Sequence, residues 1–408
     1  MKILITLIIA IATTISLNAK GPLKLNTNNI DEIVKELTLE EKVHLIVGAS
    51  MSERMASGEV GYTDSIVPGA AGITFAIERL GIPTIIFADG PAGLHISAKR
   101  KNDPNTYYCT GFPVGTHMAA TWNDDIIYQV GQAMGNEVKE YGVDVILAPG
   151  VNIMRNPLCG RNFEYYSEDP LLAGIIGSAM VKGIQSNGVS ACVKHFALYG
   201  AAEGGRDYRE VDMSPARMYN EFFPPYKAAV DAGVATVMTS FNDVNGLPAT
   251  ANKWLMTEVL RNQWGFDGFV VSDYNAVGEM VHHGIGDRKT VSEMALNAGV
   301  DADMMTEGFL NELKNSVEEG RVHMSAVDRA CRRVLEAKMK LGLFDDPYRF
   351  FRCDEPRVYT EENRAAARAV AAESFVLLKN DGVLPLNEGT KVALVGPLAD
   401  AGAQYTGS

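Results

Sequence analysis

The chain has 408 residues, of which 47% are hydrophobic and 21% charged, with a formal net charge of −13. At about 150 residues per domain the length allows two to three domains, and the composition excludes a disordered or fibrous chain. The charge balance is acidic and no Lys/Arg stripe is visible, which argues against a nucleic-acid partner. It favours solubility and a neutral or weakly charged ligand.

At the N-terminus Lys2 precedes an apolar run from Ile3 to Ile11, and small residues lead to Ala19. This reads as a signal peptide over residues 1–19, cleaved near Ala19. The run is short for a membrane span, which needs about 20 residues. Export is therefore expected, to the periplasm or the medium, with no stable span after cleavage; an N-terminal anchor helix is the alternative. The cysteines are Cys109, Cys159, Cys192, Cys331 and Cys353. Their spacing suggests no metal. Cys192 and Cys331 read as small buried hydrophobes, and Cys109 and Cys159 as loop residues whose pairing is left open.

Asp31–Val47 predicts a helix, with Thr38 and Glu41 as a capping box. Short apolar runs then alternate with helical patterning: Pro83–Ala88, Val143–Ala148, Val189–Val193, Val234–Thr239, Phe269–Ser272 and Val300–Met304, with Gly72–Ile77 as a seventh. Runs buried on both faces imply a parallel sheet. The count approaches the eight of a (β/α)8 barrel, with one strand hidden in a weak segment; an open doubly wound sheet shows the same alternation. In such a barrel the reactive groups gather where strands run into loops at the C-terminal face. A helix is expected from Ser325, capped with Asp328, with Val327, Cys331, Val334 and Leu335 inward and Gly342 as its stop. A linker rich in Asp, Pro, Arg and aromatics follows, then a helix over Glu361–Ser374. Strands are expected at Phe375–Leu378, Leu384–Leu386 and Val392–Val395, opening a second α/β unit that about thirty residues cannot close.

Four stretches carry chemistry. Asp273 ends the apolar run of Trp264–Asp273, as a helix cap or as a nucleophile. Lys194 and His195 follow another such run, as a structural pair or as a Schiff-base lysine beside a switchable ring. Asp89 precedes Gly90-Pro91, where turn chemistry alone suffices. Arg161 and Glu164 share an acid-rich loop that reads as a surface ion-pair network.

Taken together these stretches resemble glycoside hydrolase family 3, in its periplasmic β-glucosidase branch. The likeness rests on Ala88–His95, Gly160–Pro170, Val193–Ala197, Val237–Gly246, Trp264–Asp273, Gly342–Pro347 and Val376–Leu386, and runs from Leu37 to the last residue. It implies an α/β fold: a (β/α)8 TIM-like barrel over residues 20–342, a linker and helix over 343–375, and the start of an incomplete α/β sandwich over 376–408. By that likeness Asp273 is the nucleophile of a retaining exo-β-glucosidase acting on oligosaccharides or β-glucosides. Asp89, Arg161, Lys194 and His195 match positions that hold the hydroxyls of the terminal sugar, and Met238 matches a residue lining its pocket. Phe241 departs from a frequent Tyr and Tyr274 from a frequent Trp, which puts one hydrogen bond to Asp273 and the wall beside the aglycone in doubt.

Charged groups on a neutral sugar give charge-assisted hydrogen bonds, and Lys194 and Arg161 are expected to keep Asp273 deprotonated. The chemistry requires no metal or organic cofactor. Retention needs a second carboxyl group roughly 5–5.5 Å away. The likeness puts that acid in the second domain, beyond Ser408; Glu203 is a remote substitute. Rival readings are a β-xylosidase or dual-specificity glycosidase, a Schiff-base lyase on Lys194, and a non-catalytic sugar-binding fragment.

Overall fold

The computed structural model describes residues 24–26, 28–48, 66–101, 103–346 and 361–400. The signal-peptide reading, Cys353 and most of the linker lie outside the described residues.

Six strands form one sheet in the order β1 (Gly72–Ile73), β2 (Ile86–Asp89), β3 (Val145–Leu147), β4 (Ser190–Phe196), β5 (Thr236–Thr239) and β8 (Phe269–Val271). A small hairpin of β6 (Asp243–Val244) and β7 (Leu247–Pro248) lies between β5 and β8 in sequence. β2, β3, β4, β5 and β8 pair in parallel, whereas β1 runs antiparallel to β2. Isolated bridges carry the sheet on: Val271 to Ala302, Asp303 to Val47, and Gly48 to Thr74. The sheet thus curls round and meets itself, with helices outside, as a TIM-like α/β barrel.

Two expectations are corrected. The Gly72 run is antiparallel and only two residues long. The weak eighth segment is Val47-Gly48, at the end of the stretch read as one helix. That stretch is two helices, Ile30–Glu36 and Leu39–Leu45, because Leu37 is extended and Thr38 starts a new cap. The Thr38–Glu41 capping box is present.

Burial explains the strand composition. Phe87 and Phe269 are both buried and meet edge to face at 6.2 Å, a contact of about 0.5–1.5 kcal/mol beyond area burial. Outside the sheet, helices Asp124–Glu140 and Pro170–Gln185 touch backbone to backbone. A Cβ on Gly183 would sit 2.3 Å from the Tyr128 carbonyl oxygen, so only glycine permits this approach. Asp169 caps the second helix by accepting from the Leu171 and Leu172 amides.

The helix expected from Ser325 spans Met324–Lys340; its cap is His323, which accepts from the Ser325 amide. Asp328 instead pairs with Lys42 at 2.7 Å. Val327, Cys331, Val334 and Leu335 are buried as expected, and Gly342 takes a left-handed φ of 70° just past the helix end. Lys338 on this helix is fully buried, and its ammonium donates to Thr74 Oγ1 (2.9 Å) and to the Pro83 carbonyl (2.5 Å).

The last helix is Glu361–Glu373. The three strands expected after it are not formed. Phe375–Leu378 and Val392–Val395 are exposed, Leu378 at 91%. Apolar β-prone segments become strands only when a neighbour accepts their ladder, and none of the described residues does so. Cys192 and Cys331 are buried, and Cys109 and Cys159 are free thiols, so the open pairing is not made.

Candidate active site

Four strand ends and one loop bring the singled-out side chains to one mouth of the barrel. Asp89 closes β2. The turn behind it needs Gly90 at φ 152°, where a Cβ would meet the Gly93 carbonyl oxygen at 2.0 Å; it returns the His95 amide to the Asp89 carbonyl at 2.9 Å. Lys194 and His195 lie near the end of β4, a strand buried along its whole length. The Lys194 ammonium points to Asp89 Oδ1 at 3.7 Å. Arg161 comes from the loop entering the short Asn162–Glu164 turn, and its Nη2 lies 3.1 Å from His195 Nε2.

Asp273 follows β8. Its amide donates to Thr239 Oγ1 at 3.2 Å, and Oδ1 accepts from the Tyr274 amide at 2.6 Å. Oδ2 lies 3.6 Å from His195 Nε2 and is buried with no hydrogen-bond partner among the described residues. A buried acceptor left open costs about 1–3 kcal/mol, so this oxygen gains from a donated hydroxyl. Asp89 with Lys194, and Arg161 with His195 and Asp273, therefore form two groups of contacts joined through the Lys194–His195 backbone. Met238 lies buried on β5, paired with Val271 beside Asp273.

Two electrostatic expectations change. The Arg161–Glu164 pair is not a surface network. Glu164 is buried and accepts a very short hydrogen bond from Arg161 Nε. Burial works against the Arg161 charge, yet Glu164 and its neighbours hold that guanidinium above its usual range. Nor do the cations keep Asp273 low. Burial pushes its carboxyl up to about 7, and Lys194 and Arg161 only partly oppose this. Burial, with Arg161 and Lys194 adding to it, drives the His195 ring well below the ordinary histidine range, so it is neutral.

An aromatic wall closes one side. Tyr199, Phe241 and Ala276 form a small buried cluster with Tyr274 packed against it. Phe241 has no hydroxyl to offer, and the Tyr274 backbone amide donates to Asp273 Oδ1. Tyr208, 42% exposed, stacks on Phe241 at 4.5 Å with φ at +66°. Glu203 is exposed on a separate short turn.

Sequence reasoning missed Asn152, Tyr226 and Thr239. Asn152 stands two residues past Gly150, which bridges to Lys194, so its place after a strand end was a usable signal. Tyr226 sits within the helix Pro224–Asp231 and carried none.

Residues 67–337 match the glycosyl hydrolase family 3 N-terminal domain. The chain is 36% identical over 406 residues to a periplasmic beta-glucosidase of Salmonella typhimurium, covering 93% of this chain and 51% of the relative. It is 35% identical over 383 residues to an exo-alpha-(1->6)-L-arabinopyranosidase of Bifidobacterium longum, covering 90% and 45%. Among solved structures, beta-glucosidase 3B from Thermotoga neapolitana in complex with alpha-D-glucose superposes with a TM-score of 0.79 at 40% identity, over 90% of this chain and 50% of that one. The beta-glucosidase from Listeria innocua in complex with isofagomine gives 0.76 at 33% identity, over 88% and 53%. The chain spans about half the length of the relatives it matches. With a family domain over most of its described barrel and relatives at this identity, the chain belongs to glycosyl hydrolase family 3.

Proposed function

We propose that this chain carries the glycone-binding and nucleophilic half of a retaining exo-β-glucosidase. Asp273 attacks the anomeric carbon of a terminal β-D-glucosyl residue, the aglycone leaves as its oxygen is protonated, and water then releases the sugar from the Asp273 ester. Asp89 accepts from sugar hydroxyls, while Lys194, Arg161 and His195 surround the rest, and Met238 lines the pocket. The observation that carries this reading is the convergence of Asp89, Lys194, His195, Arg161 and Asp273 at one end of the barrel. A Schiff-base role for Lys194 is less favoured, because its ammonium faces the Asp89 carboxylate at 3.7 Å.

The carboxylates whose charge reaches Asp273 include Asp89 and Glu164. Each faces a cation, so neither is assigned as the acid. We assign that role to a carboxyl expected beyond Ser408, in the sandwich domain that residues 376–408 begin after a linker and helix over 343–375. The Lys2 to Ala19 segment, together with a periplasmic relative, supports export. Among the described residues no helix is long and apolar enough to cross a membrane.

The test is hydrolysis of p-nitrophenyl β-glucoside by this chain and by a C-terminally extended form. The extended form is expected to be faster by about 10²–10⁴-fold, the usual contribution of a general acid. Equal rates refute the placement of the acid. Labelling of Asp273 by a 2-deoxy-2-fluoroglucoside is expected, and labelling elsewhere refutes the nucleophile. The Bifidobacterium relative makes an α-L-arabinopyranoside the competing substrate, with a β-xyloside beside it; a faster rate on either replaces the glucoside reading.

A further inference from the structure

The His195 ring is neutral, so one of its nitrogens carries the proton and the other a lone pair. Which is which decides what the ring offers the pocket. Side-chain amide orientations are ordinarily assigned from their surroundings. Here a backbone group makes the assignment. Asn152 Oδ1 lies 3.1 Å from the Tyr199 amide nitrogen, and a backbone N–H can only donate. The Tyr226 hydroxyl lies 2.5 Å from the same oxygen and 2.6 Å from the His195 carbonyl, with one proton to share between them. The atom facing the Tyr199 N–H must be oxygen, so the other end of the amide is the nitrogen. That Nδ2 lies 3.3 Å from His195 Nδ1. Asn152, Tyr226 and His195 are all buried, so water does not rescue a mismatch.

We propose that Asn152, its oxygen fixed by the Tyr199 amide, is a positioning residue that locks His195 with its lone pair on Nδ1 and its proton on Nε2. The ring then presents a donor to the pocket. Nε2–H faces the open Asp273 Oδ2 at 3.6 Å. The opposite tautomer sets an N–H against the Asn152 NH2 and a lone pair against the Asp273 carboxylate, two mismatches in a buried place. Arg161 Nη2, at 3.1 Å from Nε2, points the other way, since a guanidinium only donates. Arg161 meets Glu164 through Nε and its side chain is 28% exposed, so Nη2 can turn to solvent or a ligand oxygen, whereas the buried Asn152 Nδ2 has no described partner other than Nδ1. Nε2–H therefore faces the space beside Asp273 Oδ2. That space suits an oxygen that accepts from Nε2–H and donates to Oδ2, as a sugar hydroxyl does. The tautomer stands on the buried geometry alone; its use in catalysis rests on the glycosidase reading above.

The experiment is a long-range 1H–15N correlation spectrum of the chain labelled at histidine, with the His195 signals assigned by their loss in His195→Gln. The expected pattern is a pyrrole-type Nε2 and a pyridine-type Nδ1. The reverse pattern overturns the proposal. Asn152→Asp puts a second carboxylate oxygen against Nδ1 and is expected to draw a proton there, while Tyr226→Phe keeps the Tyr199 grip and is expected to leave the pattern unchanged. On p-nitrophenyl β-glucoside, Asn152→Asp is expected to lower kcat/KM about 10²–10⁴-fold, with Tyr226→Phe much closer to the parent. An Asn152→Asp protein whose His195 keeps Nε2–H also overturns the proposal. If no glycoside is hydrolysed by any form, the glycosidase reading fails while the spectrum still reads the tautomer.

Discussion

Replacing Asp273 by Asn is expected to stabilise the folded chain while removing the carboxylate proposed as its nucleophile. The carboxyl stands at 3.8 in the unfolded chain and is pushed up to about 7 by burial in the fold. A raised acid pKa means the folded state holds its proton more tightly, so stability falls as pH rises from the lower value to the higher. Each unit of difference is about 1.4 kcal/mol. The full penalty above neutrality is therefore about 4 kcal/mol, and about 2 kcal/mol of it has accrued by about pH 5.5. Asn keeps an acceptor for the Tyr274 amide and carries no charge to desolvate. Urea unfolding of the parent and of Asp273→Asn, followed by fluorescence at about pH 5.5 and pH 8.5, reads the difference. The variant should be the more stable at both, with the gap roughly doubling at the higher pH. A gap independent of pH, or a variant less stable at the higher pH, would refute the claim that Asp273 is held in a desolvated pocket.

The same position of the Asp273 carboxyl predicts that kcat/KM on an aryl glucoside falls on the acid side with an apparent pKa near 7; a limb near 4 in a pH–rate series would contradict it. Glu164→Ala leaves Arg161, 28% exposed, without its buried partner. We expect a loss of about 1–3 kcal/mol, reduced from the fully buried case by solvent, and a rise in KM larger than the fall in kcat, both read from steady-state kinetics and urea titration. Lys338 is lowered from 10.5 to about 7 by burial, with Asp144 opposing, so the unfolded state binds more protons between those values and stability rises with pH across them. The parent should gain about 2 kcal/mol between pH 7 and about 8.5 from this group. Lys338→Met should lose that slope when unfolding midpoints are compared at the two pH values.

The barrel was legible where burial on both faces leaves long apolar runs. Phe269–Ser272 and Val189–Val193 each contain or overlap a strand whose far end carries site residues. Val47-Gly48 was not legible, because a segment joined to its neighbours by isolated bridges leaves no run to read. The orientation of β1 was hidden for a similar reason, since two residues have no periodicity. The Asp89, Lys194, His195 and Asp273 positions were visible as polar residues ending apolar strands. Asn152 also follows a strand end and was passed over, whereas Tyr226 was not visible, because it acts through hydrogen bonds set by the fold. The Ser325 cap was misread because the sequence shows a hydroxyl with an acid three residues on, whereas Lys42 draws Asp328 away and His323 takes the cap.

Charge accounting explains why these residue types suit a neutral ligand. Asp89 faces Lys194 and Glu164 holds Arg161, while the His195 ring is neutral, so the surroundings of Asp273 sum to near zero. Among the described residues Lys194 and Arg161 each already face a carboxylate, so an anionic ligand gains little from them. A sugar brings hydroxyls, which donate to one atom and accept from another without adding net charge. The open Asp273 Oδ2 gains a donor from such a hydroxyl. Hydrogen bonding to the charged form of a carboxylate lowers its pKa, so a glycone seated there opposes the burial that raises Asp273 and favours the ionised carboxylate that attack on the anomeric carbon requires. On the proposed reading, the surroundings that make the Asp273 carboxyl costly to ionise are thus those in which a bound sugar would recover the nucleophile.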